Sequence, residues 1–229
     1  MAISSRRRAR ETVLKALYQS AVAGDQLELA LEDVLNDTVY LPVVTAAVPD
    51  LLKRATSEEV LSGDVEGFAS DLSYKLAFLP SKEENSIYDA VISVFKEYFK
   101  KIPQGEEENI KSFVNNLGKK NARLSKIADF SRELTEIISQ HFKKIDVTIE
   151  SASENWTLDR MSEVDKAILR LGSAELLYFD SIPPKVTLNE AVELAKKYSA
   201  DKSREFVNGI LDKIAKETAK EEKVAELVS

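Results

Sequence analysis

Cysteine is absent from this chain. That excludes a disulfide scaffold, a thiolate metal site and a cysteine nucleophile, and it suits a reducing, cytoplasmic setting. Glycine is sparse, and the seven residues stand singly (Gly24, Gly63, Gly67, Gly105, Gly118, Gly172, Gly209), so no phosphate-cradling glycine loop forms. Histidine occurs once, at His141, where helical phase reads it as a surface residue and not a base. No apolar run approaches the ~18 residues of a membrane span. The start is not read as a secretory signal, because its arginines lead into an amphipathic pattern containing Glu11. With neither a nucleophile–base pair nor a metal cluster, catalysis has no bench, and no cofactor or metal is expected. Carboxylates such as Glu58-Glu59 and Glu106 to Glu108 read as solvated or capping acids.

What the chain does have is helical periodicity. Apolar residues recur at three- and four-residue steps in Val13, Leu14, Leu17 and Ala21; in Ile87, Val91, Val94, Phe95 and Tyr98; and in Ile110, Phe113, Val114 and Leu117. The pattern continues through Ile127, Phe130, Leu134, Ile137 and Ile138, through Val164, Ile168 and Leu171, and through Phe206, Val207, Ile210, Leu211 and Ile214. Hairpin signals are missing, so the fold is expected to be all-α. Pro42, Pro49, Pro80, Pro103 and Pro183-Pro184 punctuate the segments. After the last pair, Thr187 and Glu190 have capping-box spacing, which predicts a helix start at "TLNEAVELAKKY" with Asn189 at its second position. The residues after 216 read as a charged helical tail.

Charge is uneven. Residues 23–125 hold 18 acidic and 11 basic side chains, the whole of the net −7, while the remainder is neutral. Against that acidic bulk, "SSRRRARE" sets Arg6, Arg7, Arg8 and Arg10 within five positions. With Ser4 or Ser5 as the cap, the first three fall in the first turn of a helix, whose partial positive charge disfavours cations. A local choice that opposes local stability is expected at a functional site. Bringing a phosphate to this end relieves the conflict, since helix N-termini and guanidinium forks both favour anions. Arg6 and Arg10 continue the Leu14–Leu17 stripe beyond the expected edge of the core. Arg7, Glu11 and Tyr18 share a ridge with Lys15 beside it, the combination of cations and aromatic that a single-stranded nucleic acid requires. The run alone is equally compatible with a basic tail and a boundary-core Tyr18.

The C-terminal third carries a resemblance. "NWTLDRM", "DKAILRL" leading to Glu175-Leu176, the proline turn followed by "KVTLNEAVELAK", and "SREFVNGILDK" resemble the NusB family of transcription antitermination factors, as does the N-terminal "RRRARETVLKALYQS". The resemblance covers residues 1–22 and about 126–216. It implies an all-helical protein of two small bundles. It also implies binding of a boxA-type single-stranded RNA together with a small-subunit ribosomal protein (NusE), within the RNA polymerase antitermination complex, promoting rRNA operon transcription. By position, Arg6, Arg7, Arg8 and Arg10 would form the RNA-binding arm with Tyr18 on the same surface, beside which helical phase sets Lys15. Phe206 would be a second aromatic contact, although it also heads a core stripe. Asp165 and Arg170 lie on the helix that borders the ribosomal protein in the family, and they equally suit an exposed charge pair.

Gly209, inside a helix, implies close helix–helix approach, and Trp156 reads as a structural anchor. Lys202 falls where relatives often carry an acid, which implies an added phosphate contact. The chain also departs in size: residues 23–125 form an acidic helical insertion, part of it enlarging the first bundle, between the discontinuous core (1–22 and 126–216) and the tail (217–229). The resemblance admits a homodimer, since some relatives hide the RNA surface that way. Two other readings compete. An RNA methyltransferase would need a glycine-rich cofactor fold and, for the cytosine-5 enzymes, a cysteine. A NusB-like scaffold would bind partners through the acidic insertion without specific RNA binding.

Overall fold

In a computed structural model, residues 4–52, 64–77, 84–99, 105–153 and 156–228 are described. Glu58-Glu59, Gly63, Pro80 and Pro103 lie outside them. Among the described residues there are nine α-helices and no strand, as the periodicity predicts. They are α1 (Ser5–Ala23), α2 (Leu27–Leu35), α3 (Leu41–Leu52), α4 (Val65–Ala77), α5 (Glu84–Phe99), α6 (Glu107–Ala152), α7 (Glu163–Tyr178), α8 (Pro184–Tyr198) and α9 (Ser203–Val228). A π-helical segment, Asn36–Tyr40, leads into α3, and a 3-10 turn, Leu158–Arg160, precedes α7. The chain divides into two compact units, one of residues 1–31 with 130–229 and one of residues 32–129.

In the first unit, α7 is the central element. It packs against α1, α8 and α9, and α8 packs against α9. Ala9, Val13, Leu14 and Leu17 of α1 are buried in this core with Ile168, Leu171, Leu194, Val207, Leu211 and Ile214; Ala21 lies outside it, exposed. α1 ends at Gly24, whose φ of 78° is a left-handed cap that other residues rarely adopt, its N–H donating to the Ser20 carbonyl at 2.9 Å.

The close approach expected at Gly209 occurs instead at Gly172. A Cβ on Gly172 would lie 2.7 Å from Leu211 Cδ1, whereas one on Gly209 would meet nothing within 4 Å. Gly172 is on the face of α7 that α9 covers; Gly209 is on the open face of α9. Since Leu211 is fully buried and has little room to retreat, Gly172→Ala is expected to destabilise by about 1–3 kcal/mol, the usual cost of overpacking. A urea unfolding midpoint checks this.

In the second unit, α4 packs on α3 and α5. Its core is aromatic: Phe68 meets Phe95, Tyr98 and Phe99 at centroid distances of 6.0, 5.9 and 6.1 Å, and Phe95 lies 4.6 Å from Phe99. Tyr98 donates to Asp71 at 2.6 Å, and that hydrogen bond pushes its phenol up to about 12. The stripes read from the periodicity in α5 and α6 are buried except at Tyr98 and Ile137, which are part-exposed. Pro49 is a correction, because it lies inside α3 and not between segments. The N–H it lacks would have served the carbonyl of Thr45, and both residues are exposed, so water can take that place.

The start of α8 is a second correction. The helix begins at Pro184, three residues before Thr187, and it has no side-chain cap. A proline at the first position has its φ already set for helix and lacks only an N–H that would be unpaired anyway. Asn189 is therefore not at the second position. Thr187 and Glu190 are released from capping, and both reach other partners.

Candidate nucleic-acid interface

Ser4 caps α1: its backbone is extended and its Oγ accepts the Arg7 N–H at 3.2 Å. No acid occupies the first turn, so Arg6, Arg7 and Arg8 stack positive charge at the end of the helix that already carries it. Their surroundings differ. Arg6 is exposed, its guanidinium 5.4 Å from the centroid of the Phe130 ring. Arg7 is part-exposed and donates through Nε and Nη2 to Glu190 at 2.8 and 2.5 Å. That pairing holds the Arg7 pKa above its ordinary value. Arg8 is half-buried.

Arg10 departs from expectation. Far from extending beyond the core, its side chain is 3% exposed and forms a bidentate pair, at 2.6 and 3.0 Å, with a Glu175 carboxylate that is fully buried. Thr187 donates to the same carboxylate at 2.8 Å, and the Arg10 guanidinium lies 5.7 Å from the Phe130 centroid. Phe130 itself meets Phe179 edge-on at 5.9 Å. The core reaches up the helix because α7 supplies a buried acid opposite Arg10. Arg6 and Arg10 thus share one aromatic neighbour, Arg6 being exposed and Arg10 buried.

Further along α1, Lys15 is half-buried and Tyr18 is 45% exposed. Glu11 accepts a hydrogen bond from Lys197 at 2.9 Å, which holds Lys197 above the ordinary lysine value. Lys196 donates to Glu193 at 2.5 Å and holds that carboxyl low. Arg7, Glu11, Glu190, Glu193, Lys196 and Lys197 line a shallow cleft of about 400 Å³. Charges of both signs alternate around it, and the excess cation lies at the cap end of α1.

Lys202 is exposed in the turn before α9, and Phe206 is half-buried on α9, meeting Trp156 edge-on at 5.9 Å. Trp156, read from the sequence as a structural anchor, is 51% exposed.

Asp165 and Arg170 are not an exposed pair either. Ser162 caps α7 and exchanges hydrogen bonds with Asp165 at 2.8 and 3.1 Å, while Ser199 and Ser203 donate to the same carboxylate at 2.7 and 3.1 Å. Buried there, Asp165 ties the start of α7 to the end of α8 and the start of α9. The sequence signal was the capping spacing Ser162–Asp165. Arg170 pairs instead with Asp146 at 2.7 and 2.9 Å and lies 4.4 Å from the centroid of the Phe142 ring. His141 marks a break in α6 (φ −115°) and stacks on Tyr178 at 4.2 Å.

Sequence reasoning missed Glu175, Glu190 and Phe130 as partners of the arginine run. Only Glu190 had a visible signal, and its spacing from Thr187 pointed to a cap. Taken together, the arm offers guanidinium forks and helix N–H groups to a polyanion, with an exposed phenol on the same helix for a flat ring.

Comparison with known proteins adds an independent line. The model of the NusB family matches residues 87–216. The transcription antitermination protein NusB of Natranaerobius thermophilus is 55% identical over 80 residues, 35% of this chain and 58% of that protein. That of Desulfitobacterium hafniense (strain DSM 10664 / DCB-2) is 40% identical over 118 residues, 52% of this chain and 80% of that protein. For the first three curated relatives the match spans 58, 41 and 61% of their length, less than two thirds of each. A solved structure of T. maritima NusB has a TM-score of 0.54 at 27% identity, covering 98% of this chain and 99% of that one. A second, titled "Crystal Structure of a Plectonemic RNA Supercoil", shares the fold with a TM-score of 0.52 at 20% identity, covering 93% of this chain and 96% of that one.

Proposed function

Because this chain belongs to the NusB family, we propose that it is a cytoplasmic, RNA-binding transcription antitermination factor. It binds a boxA-type single-stranded RNA together with a small-subunit ribosomal protein (NusE), joins the RNA polymerase antitermination complex and promotes transcription of rRNA operons. The observation that carries this reading is the capped helix start bearing Arg6, Arg7 and Arg8 with no acid in its first turn. Single-strand binders combine such a cationic track with aromatic faces on which bases stack.

The roles divide by exposure. Arg6, Arg7, Arg8 and Lys15 contact phosphates, and Tyr18 and Phe206 contact bases. Arg7 uses two of its five N–H donors on Glu190, and a phosphate shares the fork. Arg10 is a positioning residue that holds Phe130 beneath Arg6. Arg170 and the half-exposed Phe142 face the ribosomal protein, with Asp165 fixing the three helix ends behind them. Among the described residues no helix is long and apolar enough to cross a membrane.

Adding the ribosomal protein is expected to tighten binding of a boxA-like strand in a fluorescence-anisotropy titration. Unchanged affinity would argue against joint recognition. Lys202, exposed before α9, adds a phosphate contact. Lys202→Asp is therefore expected to reduce the magnitude of the log K against log salt slope by at least about 0.7. An unchanged slope would remove Lys202 from the interface.

The acidic segment favours a second reading. Most of it lies in the compact unit of residues 32–129, which has its own aromatic core, and that suits a scaffold that recruits a basic partner. Equal, weak binding of boxA-like and scrambled strands would favour that reading.

A further inference from the structure

A site built only to collect phosphates would leave its cations unopposed, and the cleft between α1 and α8 does the reverse. Its three cations, Arg7, Lys196 and Lys197, stand among three carboxylates, Glu11, Glu190 and Glu193. Each cation is matched: Arg7 with Glu190, Lys197 with Glu11, and Lys196 with Glu193. The first two pairs cross from one helix to the other, and the third lies within α8.

Glu190 differs from its neighbour Glu193. Its side chain is 15% exposed against 50%, and both of its oxygens accept from Arg7, Oε2 from Nε at 2.8 Å and Oε1 from Nη2 at 2.5 Å. That is the fork in which a guanidinium also grips a phosphate. Carboxylate and phosphate therefore compete for one edge of one side chain. Arg7 also lies in the field of the whole acid set: the Glu190 hydrogen bond, and then the charges of Glu190, Glu193 and Glu11, hold its proton more tightly. Helix capping does not account for Glu190, because α8 has no side-chain cap. Nor does stability, since a pair whose cation is 41% exposed contributes little.

We propose that Glu190 is a specificity-determining residue, a built-in competitor for Arg7 that restrains binding of the wrong strands. The inference rests on the reading that Arg7 contacts phosphate, and it adds what opposes that contact. While Glu190 holds the Nε edge of Arg7, an arriving phosphate meets a carboxylate beside the cation. It has to use the remaining N–H donors or displace the acid. A strand held in register by base contacts keeps a phosphate on those donors. A strand without such contacts has no fixed register and meets the repulsion. Like charges set against an arriving partner suppress wrong partners in this way.

Glu190→Gln removes the charge and keeps the shape, with an amide oxygen still able to accept from Arg7. Full-length wild type, Glu190→Gln, Arg7→Ala and the double variant would be titrated with labelled boxA-like and scrambled single strands at one salt concentration, following anisotropy. Glu190→Gln is expected to bind the scrambled strand about fivefold tighter, the upper end for a part-exposed pair. The boxA-like strand should gain less, so the gap between the two narrows. Most of the gain should vanish in the Arg7→Ala background, which traces it to the pair. A merely structural acid would weaken binding on removal, not tighten it. If Glu190→Gln binds both strands as wild type does, gains equally on both, or gains equally with and without Arg7, the inference is overturned while the arm keeps its RNA contact. If wild type binds neither strand, the RNA reading fails and the inference fails with it.

Discussion

Arg10→Ala is expected to lower the unfolding free energy by about 3–5 kcal/mol, the cost of breaking a buried ion pair by removing one partner. Arg10 and Glu175 are 3% and 0% exposed, and their pairing is bidentate. Without Arg10, the Glu175 carboxylate would keep only the Thr187 hydroxyl among the hydrogen bonds it now accepts. The attraction between the partners does not by itself make the pair stabilising, because burying both ions costs several kcal/mol each. The large effect comes from leaving one charge behind. Arg10→Met combined with Glu175→Leu should therefore recover most of the loss, since replacing a whole buried pair with apolar groups of similar volume is often neutral. Urea midpoints for the single and double variants check this. A single variant within about 1 kcal/mol of wild type, the range of exposed pairs, would mean the pair is not the buried bond described here.

The second large effect falls on the same run of arginines and has the opposite character. Changing Arg6, Arg7 and Arg8 together to alanine should cost far less stability than Arg10→Ala, because cations in a first helical turn are disfavoured and the Arg7–Glu190 pair that is lost is only part-buried. RNA affinity should collapse instead. Each lost phosphate contact shrinks the magnitude of the log K against log salt slope by about 0.7 for a single strand, so three lost contacts shrink it by about 2. Between 1 M and 0.1 M salt that difference amounts to about a hundredfold, which is the loss expected at 0.1 M. The variant should converge on wild type near 1 M. A variant that binds as wild type across the series would show that the arm does not touch the phosphates. Arg10 is kept out of this set because its removal would confuse unfolding with loss of contact.

That contrast shows where the sequence is legible. The stripes from Ile87, Ile110 and Phe206 predicted helices correctly because a 3.6-residue period is a local property. The Ser4 cap was equally local. The partner of Arg10 lies 165 residues away, so a run of four arginines looked uniform although one of them is in the core. Thr187 and Glu190 have capping-box spacing, but Pro184 starts the helix a turn earlier and sends both side chains to α7 and α1. Gly172 and Gly209 look alike in sequence; only the packing of α9 against α7 tells which one a Cβ would crowd. Trp156 read as an anchor because large aromatics usually are, and its exposure is a tertiary fact. The all-α fold and the location of the arm were therefore open to reading. The division of the arginine run into solvent-facing side chains and one buried support was not.

The most direct test of the account is the anisotropy of a boxA-like single strand and a scrambled control with wild-type protein across a salt series. Tighter binding of the boxA-like strand is predicted at every salt concentration, with both isotherms falling linearly on the logarithmic plot. The two lines should stay separated, because base contacts set the gap while phosphates set the slope. Equal affinity for both strands throughout the series would contradict sequence-specific recognition, and with it the antitermination reading of this chain.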